Sequence, residues 1–542
     1  MSQTMLSTAS RWTIPLFTVV LLAGAHAGPS RGQDPDGVPD VPPLARAVLD
    51  SAVSAELANL PGAPLTLDEA RALARTGATR VRLARAAVDA ARGSVRRERG
   101  AYDPELYGEG SHRDREEPAA SFFSGADVVQ TTETRGEAGL RWRAPLGSRF
   151  SASLGAVRLE TNNAFSLLQP QYDTFGELRL TQPLLDGFGA GERGDLTAAE
   201  RRLEAAEARL ADARLGTESA VEVAYWALYA AGRDFSVQRL ITQRAEALLE
   251  QARTRQRAGL VGPADAASAR VFLAEQRQAL LDREEDLGRA SDALADLIGQ
   301  RPVPEDLYRP VDEPPADFPA PPATELIAAA TAENLQLKAL ADEVAAVEAR
   351  ADRASRNALP SLDVFGVLGG TGLSGTPQDV QFGDETFTTE FSGNVGDGLS
   401  QVLGYDYPTW EVGFTFAAPI GGRADGGEAD RLVAEVVRAE QQLEAARRQL
   451  ESDVRDTRRA LANGRERLAA ARFGVEAASE QVRIGVLQYE SGQTSAFELV
   501  RLSGDLAAAQ QRYSRALVRT ARAAAVLRQL TGGAYPEEET GP

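Results

Sequence analysis

Residues 192–263 read ERGDLTAAERRLEAAEARLADARLGTESAVEVAYWALYAAGRDFSVQRLITQRAEALLEQARTRQRAGLVGP. The strong helix formers Ala, Leu, Glu, Arg and Gln dominate, and no Pro appears before Pro263. From Glu192 to Arg257 this predicts one helix on the order of 100 Å long, at ~1.5 Å per residue. That is too long for one compact domain and points to a bundle, a coiled coil or a tube. The helix ends at Gly259-Leu260-Val261-Gly262-Pro263, a turn by composition.

Upstream of this helix the periodicity is different. Thr66-Leu67-Asp68-Glu69 has the form of a capping box, and the helix it opens runs to about Arg99. From Tyr102 the pattern alternates. Leu140-Arg141-Trp142-Arg143-Ala144 puts apolar residues on one face and Arg on the other. Phe150, Ala152 and Leu154 alternate with Ser, and Leu178 and Leu180 alternate with Glu177, Arg179 and Thr181. These are period-2 strands, placed within residues 102–184. A polar loop near Thr161 to Asp173 separates the last two. Downstream of the turn (258–263), a second helix covers 264–298 and ends at Gly299.

After a Pro-rich linker, 300–322, the same order begins again. A helix spans 323–357, and Pro360 leads to strand-like Leu362-Asp363-Val364-Phe365. A Gly-rich loop follows, and then Trp410-Glu411-Val412-Gly413-Phe414-Thr415-Phe416, within a strand region 361–418. A second long helix runs over 425–491, a turn over 492–495 and a return helix over 496–530. The chain is thus two repeats, 65–299 and 323–533, each of helix, strands, long helix, turn and helix. Gly259 and Gly299 recur at Gly492 and Gly532, and the same offset of 233 carries Val454, Leu461, Leu468 and Val482 onto Val221, Leu228, Phe235 and Leu249.

In the second long helix Val454, Leu461, Leu468, Val475, Val482 and Tyr489 recur every seven residues. Leu450, Thr457, Gly464, Ala471, Ala478 and Gly485 form a second, mostly small, seven-residue series. Alternating steps of three and four make a coiled-coil seam, and its small side lets helices approach closely. An ordinary antiparallel coiled coil explains the seam but not the strands.

Composition sets the surroundings. A net charge of −19 argues against a nucleic-acid surface. Arg11, the apolar run Trp12 to Gly24 and Ala25-His26-Ala27 have the layout of a secretory signal, residues 1–27, cleaved most simply after Ala27. No later stretch is apolar for the ~18 residues of a membrane helix. Residues 28–64, rich in Pro and Asp, read as an extended leader and 534–542 as a disordered tail. With no Cys there is no disulfide, thiolate metal site or Cys nucleophile. His112, the one His outside the signal, reads as a solvated loop or strand residue. No metal-spaced His/Cys set, nucleophile motif or phosphate loop appears, so no cofactor and no enzyme activity is expected.

Geometry joins these parts. Each long helix is ~100 Å and each short one ~50 Å, so the two short helices of a repeat stacked end to end would line one long helix. The product is a tube wall with strands at one end and turns at the other. Four plausible strands in the first repeat and two in the second are fewer than the eight a membrane barrel needs. Several chains sharing one barrel would close both the barrel and the ring of helices.

Leu180-Thr181-Gln182-Pro183-Leu184-Leu185-Asp186-Gly187-Phe188-Gly189, Tyr407-Pro408-Thr409-Trp410-Glu411-Val412-Gly413 and the turn Ala258-Gly259-Leu260-Val261, set in the duplicated order, resemble TolC-type outer-membrane efflux proteins. The resemblance covers nearly everything from Thr66 to Gly533. It implies a mainly α chain with membrane β-barrel strands: a homotrimer with a shared barrel in the bacterial outer membrane and an α-helical tube in the periplasm. It also implies a passive exit duct of a tripartite efflux or type I secretion system, served by a periplasmic adaptor (membrane fusion) protein and an inner-membrane pump.

By position in the family, the adaptor-docking turns are Gly259, Leu260 and Val261 and Gly492, Gln493 and Thr494. Glu498 matches an acidic ring position of the periplasmic entrance. Asp265 and Tyr489 match positions whose polar links hold the entrance shut. Arg501 stands where a second acidic residue is expected, and Thr494 replaces a basic link residue. Glu498 paired to Arg501 at i+3 on a solvated helix is the plainer reading. The extra strand pair around Trp142 and Leu154 exceeds the family's usual two strands per repeat. The other function class weighed is a periplasmic coiled-coil adaptor without its own barrel; two complete hairpins, each with its own strands, favour the channel.

Overall fold

The computed structural model describes residues 53, 55–119, 124–304, 307–315, 318–494 and 496–535. The signal segment, most of the leader and residues 536–542 lie outside them. The order is β1 (Ala63–Leu65), α1 (Leu67–Gly77), α2 (Thr79–Gly100), β2 (Glu105–Pro118), β3 (Val128–Arg143), β4 (Arg149–Thr161), β5 (Leu168–Pro183), α3 (Ala190–Arg257) and α4 (Pro263–Ile298). It continues with β6 (Tyr308–Pro310), α5 (Ala323–Glu333), α6 (Leu335–Asn357), β7 (Ser361–Pro377), β8 (Val380–Phe382), β9 (Glu385–Phe387), α7 (Val395–Gly404), β10 (Pro408–Ala417), α8 (Arg423–Glu490) and α9 (Ala496–Leu530).

The long helices α3 and α8 have 68 residues each. In α8, Val454 and Leu461 are fully buried, and Val475, Ala478, Val482 and Tyr489 nearly so, against α9. The small series makes this closeness possible. A Cβ on Gly464 would sit 2.6 Å from Thr520 Oγ1, and one on Gly485 2.4 Å from a Leu502 methyl.

The short helices do line the long ones, with two changes. The single helices expected over 66–99 and 323–357 are each broken in two. Thr66 forms its capping box with Glu69, but the helix stops at Gly77, where Ala78 turns extended at ψ 129°, and the chain there packs so closely on α4 that a Cβ on Gly77 would lie 2.4 Å from the carbonyl of Ile298, the last residue of α4. Asn334 makes the matching break: it caps α6 and donates to the carbonyl of Leu530, the last residue of α9. Stacked helices thus meet end to end at these two breaks. In addition, pairing crosses the repeats, since α6 packs on both α3 and α8, and α9 packs on α3 as well as α8.

The Pro-rich leader and linker are more structured than their composition implies. Ala63–Leu65 pairs in parallel with Tyr308–Pro310, and Leu60, Leu65, Tyr308 and Phe318 are core residues. The Tyr225 hydroxyl of α3 donates to Asp312 and accepts from the N–H groups of Val311 and Asp312, fixing this belt on the long helix. Tyr535, placed by composition in a disordered tail, is buried, and its hydroxyl donates to the Pro319 carbonyl.

Four strands of the first repeat and two of the second form one antiparallel sheet in the order β10-β7-β5-β4-β3-β2. Two boundaries differ from expectation. β5 begins at Leu168, inside the segment read as a loop, and β7 runs through the Gly-rich stretch to Pro377. The glycines of β7 mislead because Gly is a poor strand former. Here they clear space: a Cβ on Gly372 would lie 2.2 Å from the Gly398 carbonyl of α7, and one on Gly370 would touch Val402.

Candidate channel wall and entrance

The register places Leu106, Leu140, Ala152, Leu178, Leu368 and Trp410 in a single row across all six strands. Neighbouring rows on the same face hold Trp142, Phe150, Leu180 and Val412, then Val364 and Phe414, then Leu362 and Phe416. On the other side lie Leu154, Ala138 and Gly108. Charge first appears on this face at Arg158, in the row of Tyr172 and Thr134. From Leu362 to Gly372 the band spans ten residues of strand, ~33 Å, or about 25 Å of height at the usual barrel tilt. In the lower rows these side chains are uncovered, Trp410 being 74% and Phe414 72% exposed, whereas α7 lies over the upper end of the band at Gly370, Gly372, Gly176 and Thr174.

The opposite face carries charge in pairs. Arg141 meets Glu105 at 3.7 Å, Arg135 meets Glu137 at 3.0 Å, Arg179 meets Glu177 at 2.9 Å and Arg149 meets Asp363 at 2.9 Å. Three rings lie over the glycine directly opposite, Tyr107 over Gly139, Phe175 over Gly155 and Phe365 over Gly413, and each also takes an arginine. A sheet apolar on one side and ionic on the other separates hydrocarbon from water. Among the described residues no helix is long and apolar enough to cross a membrane.

The far ends of the long helices are built alike. After α3, the N–H of Leu260 donates to the Arg255 carbonyl at 2.9 Å and that of Gly259 to Gln256 at 3.0 Å. After α8, the N–H of Gln493 donates to Gln488 at 2.8 Å and that of Gly492 to Tyr489 at 3.0 Å. Both are Schellman caps, and both need the left-handed glycine at φ 72° (Gly259) and 76° (Gly492). Leu260 is exposed and Val261 half-buried; Gln493 is exposed and Thr494 half-buried.

Behind the turns, Leu248, Leu249, Ala252, Ala269, Phe272, Leu273 and Leu499 form one core with Tyr489. The Tyr489 ring lies under the Arg255 guanidinium at 5.1 Å. Asp265 is exposed, and among the described residues its side chain makes no hydrogen bond or ion pair, with Tyr489 or any other residue. The Arg255–Tyr489 contact was missed by sequence reading, since residues on different helices share no spacing. Glu498 takes the pairing expected at i+3. Arg501 donates to it, with Nε to Oε2 at 3.1 Å, and reaches Asp505 at 3.3 Å. The Arg501 hydrogen bonds hold the Glu498 carboxyl below its ordinary range.

Further along the tube, α3 holds two polar contacts that helical spacing does not announce. Ser514 donates to Asp234 at 2.6 Å, although burial pushes that carboxyl up. Glu222, 2% exposed, takes Arg71 at 2.9 Å and Arg528.

Residues 71–300 match the family model for the outer membrane efflux protein. No curated protein matches the sequence. Among solved structures, the outer-membrane channel OprN is similar at 17% identity and TM-score 0.62, covering 86% of this chain and 90% of that one. The CmeC outer membrane channel of Campylobacter jejuni is similar at 14% and 0.61, covering 87% of each. The open state of the MtrE outer membrane channel of Neisseria gonorrhoeae follows at 18% and 0.58, covering 88% and 91%. The first repeat therefore carries the sequence pattern of outer membrane efflux proteins, and the chain as a whole has the fold of TolC-type outer-membrane channels.

Proposed function

We propose that the protein is the outer-membrane exit duct of a tripartite efflux or type I secretion system, a passive conduit for substrates handed to it by other proteins. The observation that carries this is the two-faced sheet: a charge-free apolar band about 25 Å tall backed by paired charges, continuous with helices of 68 residues. A periplasmic adaptor without a barrel has no use for such a band. Three copies sharing one barrel satisfy the strand edges that a single six-stranded sheet leaves open. Fractionation tests the reading: the protein is expected with outer membranes as a detergent-stable trimer, and soluble periplasmic monomer would overturn it.

In this reading the caps at Gly259-Leu260-Val261 and Gly492-Gln493-Thr494 meet a periplasmic adaptor fed by an inner-membrane pump, and the helices behind them narrow the entrance. Glu498 and Asp505 share Arg501, so each chain offers one net negative charge there, repeated around the trimer axis. Tyr489, held by Arg255, is kept from Asp265 within its own chain; a link to a neighbouring chain is the alternative latch. A ring of like charge selects ions by sign. Glu498→Gln is expected to lower cation selectivity in planar bilayers, and an unchanged reversal potential would remove Glu498 from the pore.

A further inference from the structure

The strand count of this chain has a consequence for its barrel. β2 and β10 are the two ends of the sheet, and neither has a partner on its outer side among the described residues. β2 is paired to β3 over fourteen positions without a bulge, and β10 to β7 over ten. β10 carries none of the devices that blunt a free edge beyond Pro408 at its start and the single charge Glu411, and the charges of β2 are concentrated in its upper half, Arg113 to Glu117, leaving Leu106 to Gly110 with only Glu109.

Depth decides what these edges need. Leu106 of β2 lies in the same row as Trp410 of β10, and Gly108 and Gly110 continue that face without charge. The lower half of β2 is therefore at membrane depth, where an unpaired backbone N–H or C=O has no water to bond. A β2–β3 hairpin standing outside the barrel would leave such groups open. Direction agrees as well. With six antiparallel strands, β2 runs opposite to β10, so the last strand of one copy can pair antiparallel with the first of the next.

Resting on the trimer reading above, we propose that β2 pairs with β10 of the neighbouring copy and that all six strands of each chain enter one wall, an eighteen-stranded barrel. Strand number sets barrel diameter, and sixteen to eighteen strands leave an open aqueous lumen. The β2–β3 hairpin thus widens the membrane end of the duct and lines it with Arg135, Glu137 and Arg141.

The absence of Cys makes the test direct. Cysteines are placed on the inward side of β2 at Glu105, Glu109 or Ser111, each combined with one on β10 at Thr409, Glu411 or Thr415. The two edges of one sheet are about 24 Å apart, five spacings of ~4.8 Å, so any disulfide must join two copies. Oxidation of the membrane-embedded protein is expected to give covalent trimers for one antiparallel register of β2/β10 pairs. Cysteines at Ser151 or Ser153 of β4, combined with the same β10 set, are expected to give none. Cross-links between β4 and β10, or none from β2 in a protein that runs as a trimer, would overturn the eighteen-stranded wall while leaving the channel reading intact. A monomer by native mass spectrometry would overturn both.

Discussion

The two repeats agree closely at one end and differ at the other. Their turns carry the same pair of cap hydrogen bonds at the same offset, and their long helices have equal length. At the membrane end the first repeat gives four strands to the large sheet, and the second gives two, together with the short β8–β9 hairpin and the helix α7. The tube end is constrained because every helix there is packed along another, so an inserted residue would shift a whole seam. The membrane end is freer, since strands added as an up-down pair keep every direction and restore the same edges. A hairpin can be gained without disturbing the helices below it.

Substitutions at equivalent positions test how far this symmetry extends. The largest effect is expected where the repeats differ most within the tube. Glu222 is buried between two arginines, whereas its counterpart Arg455 is exposed and pairs with Glu451 one turn away. Glu222→Ala leaves Arg71 and Arg528 without their shared carboxylate and is expected to cost about 3–5 kcal/mol in urea denaturation of the detergent-solubilised protein. Arg455→Ala is expected to cost less than about 1 kcal/mol.

Next come the outer faces of the sheet. Phe414→Arg in the second repeat and Leu140→Arg in the extra hairpin are each expected to cost about 2–4 kcal/mol in folding into lipid bilayers. If Leu140→Arg alone is tolerated, the hairpin does not face lipid. A smaller effect belongs to the seam. Gly464→Ala pushes into Thr520, for about 1–3 kcal/mol, whereas Ala231→Gly at the equivalent site costs about 0.5–1 kcal/mol. The smallest is at the turns. Gly259→Ala and Gly492→Ala are each expected to cost about 1 kcal/mol, because an Ala must adopt the left-handed conformation there. Unequal values would show that the two caps are not under the same load.

Much of this was legible in the residues. Val454, Leu461, Val475 and Val482 announced a seam at seven-residue spacing, and all are buried. Glu222 shows where such reading stops. A carboxylate on a helix is usually solvated, and nothing near it in the chain reveals that Arg71 and Arg528 lie 151 and 306 positions away in sequence. Tyr535 and the leader were misjudged for a related reason, since composition reports the habits of a segment and not the surface it meets. At the entrance, Glu498 with Arg501 was visible as a local pair, whereas Arg255 over Tyr489 joins two helices and was not.

Local periodicity therefore determined the long helices, their glycine turns, the alternation of the strands and the duplication, because each depends on residues within a few turns of one another. Tertiary structure alone decided the single apolar row across six strands, the packing of α6 and α9 across the repeats, and the burial of Glu222. Those depend on which distant segments meet and in what register, and one shifted residue would turn an outward Leu inward.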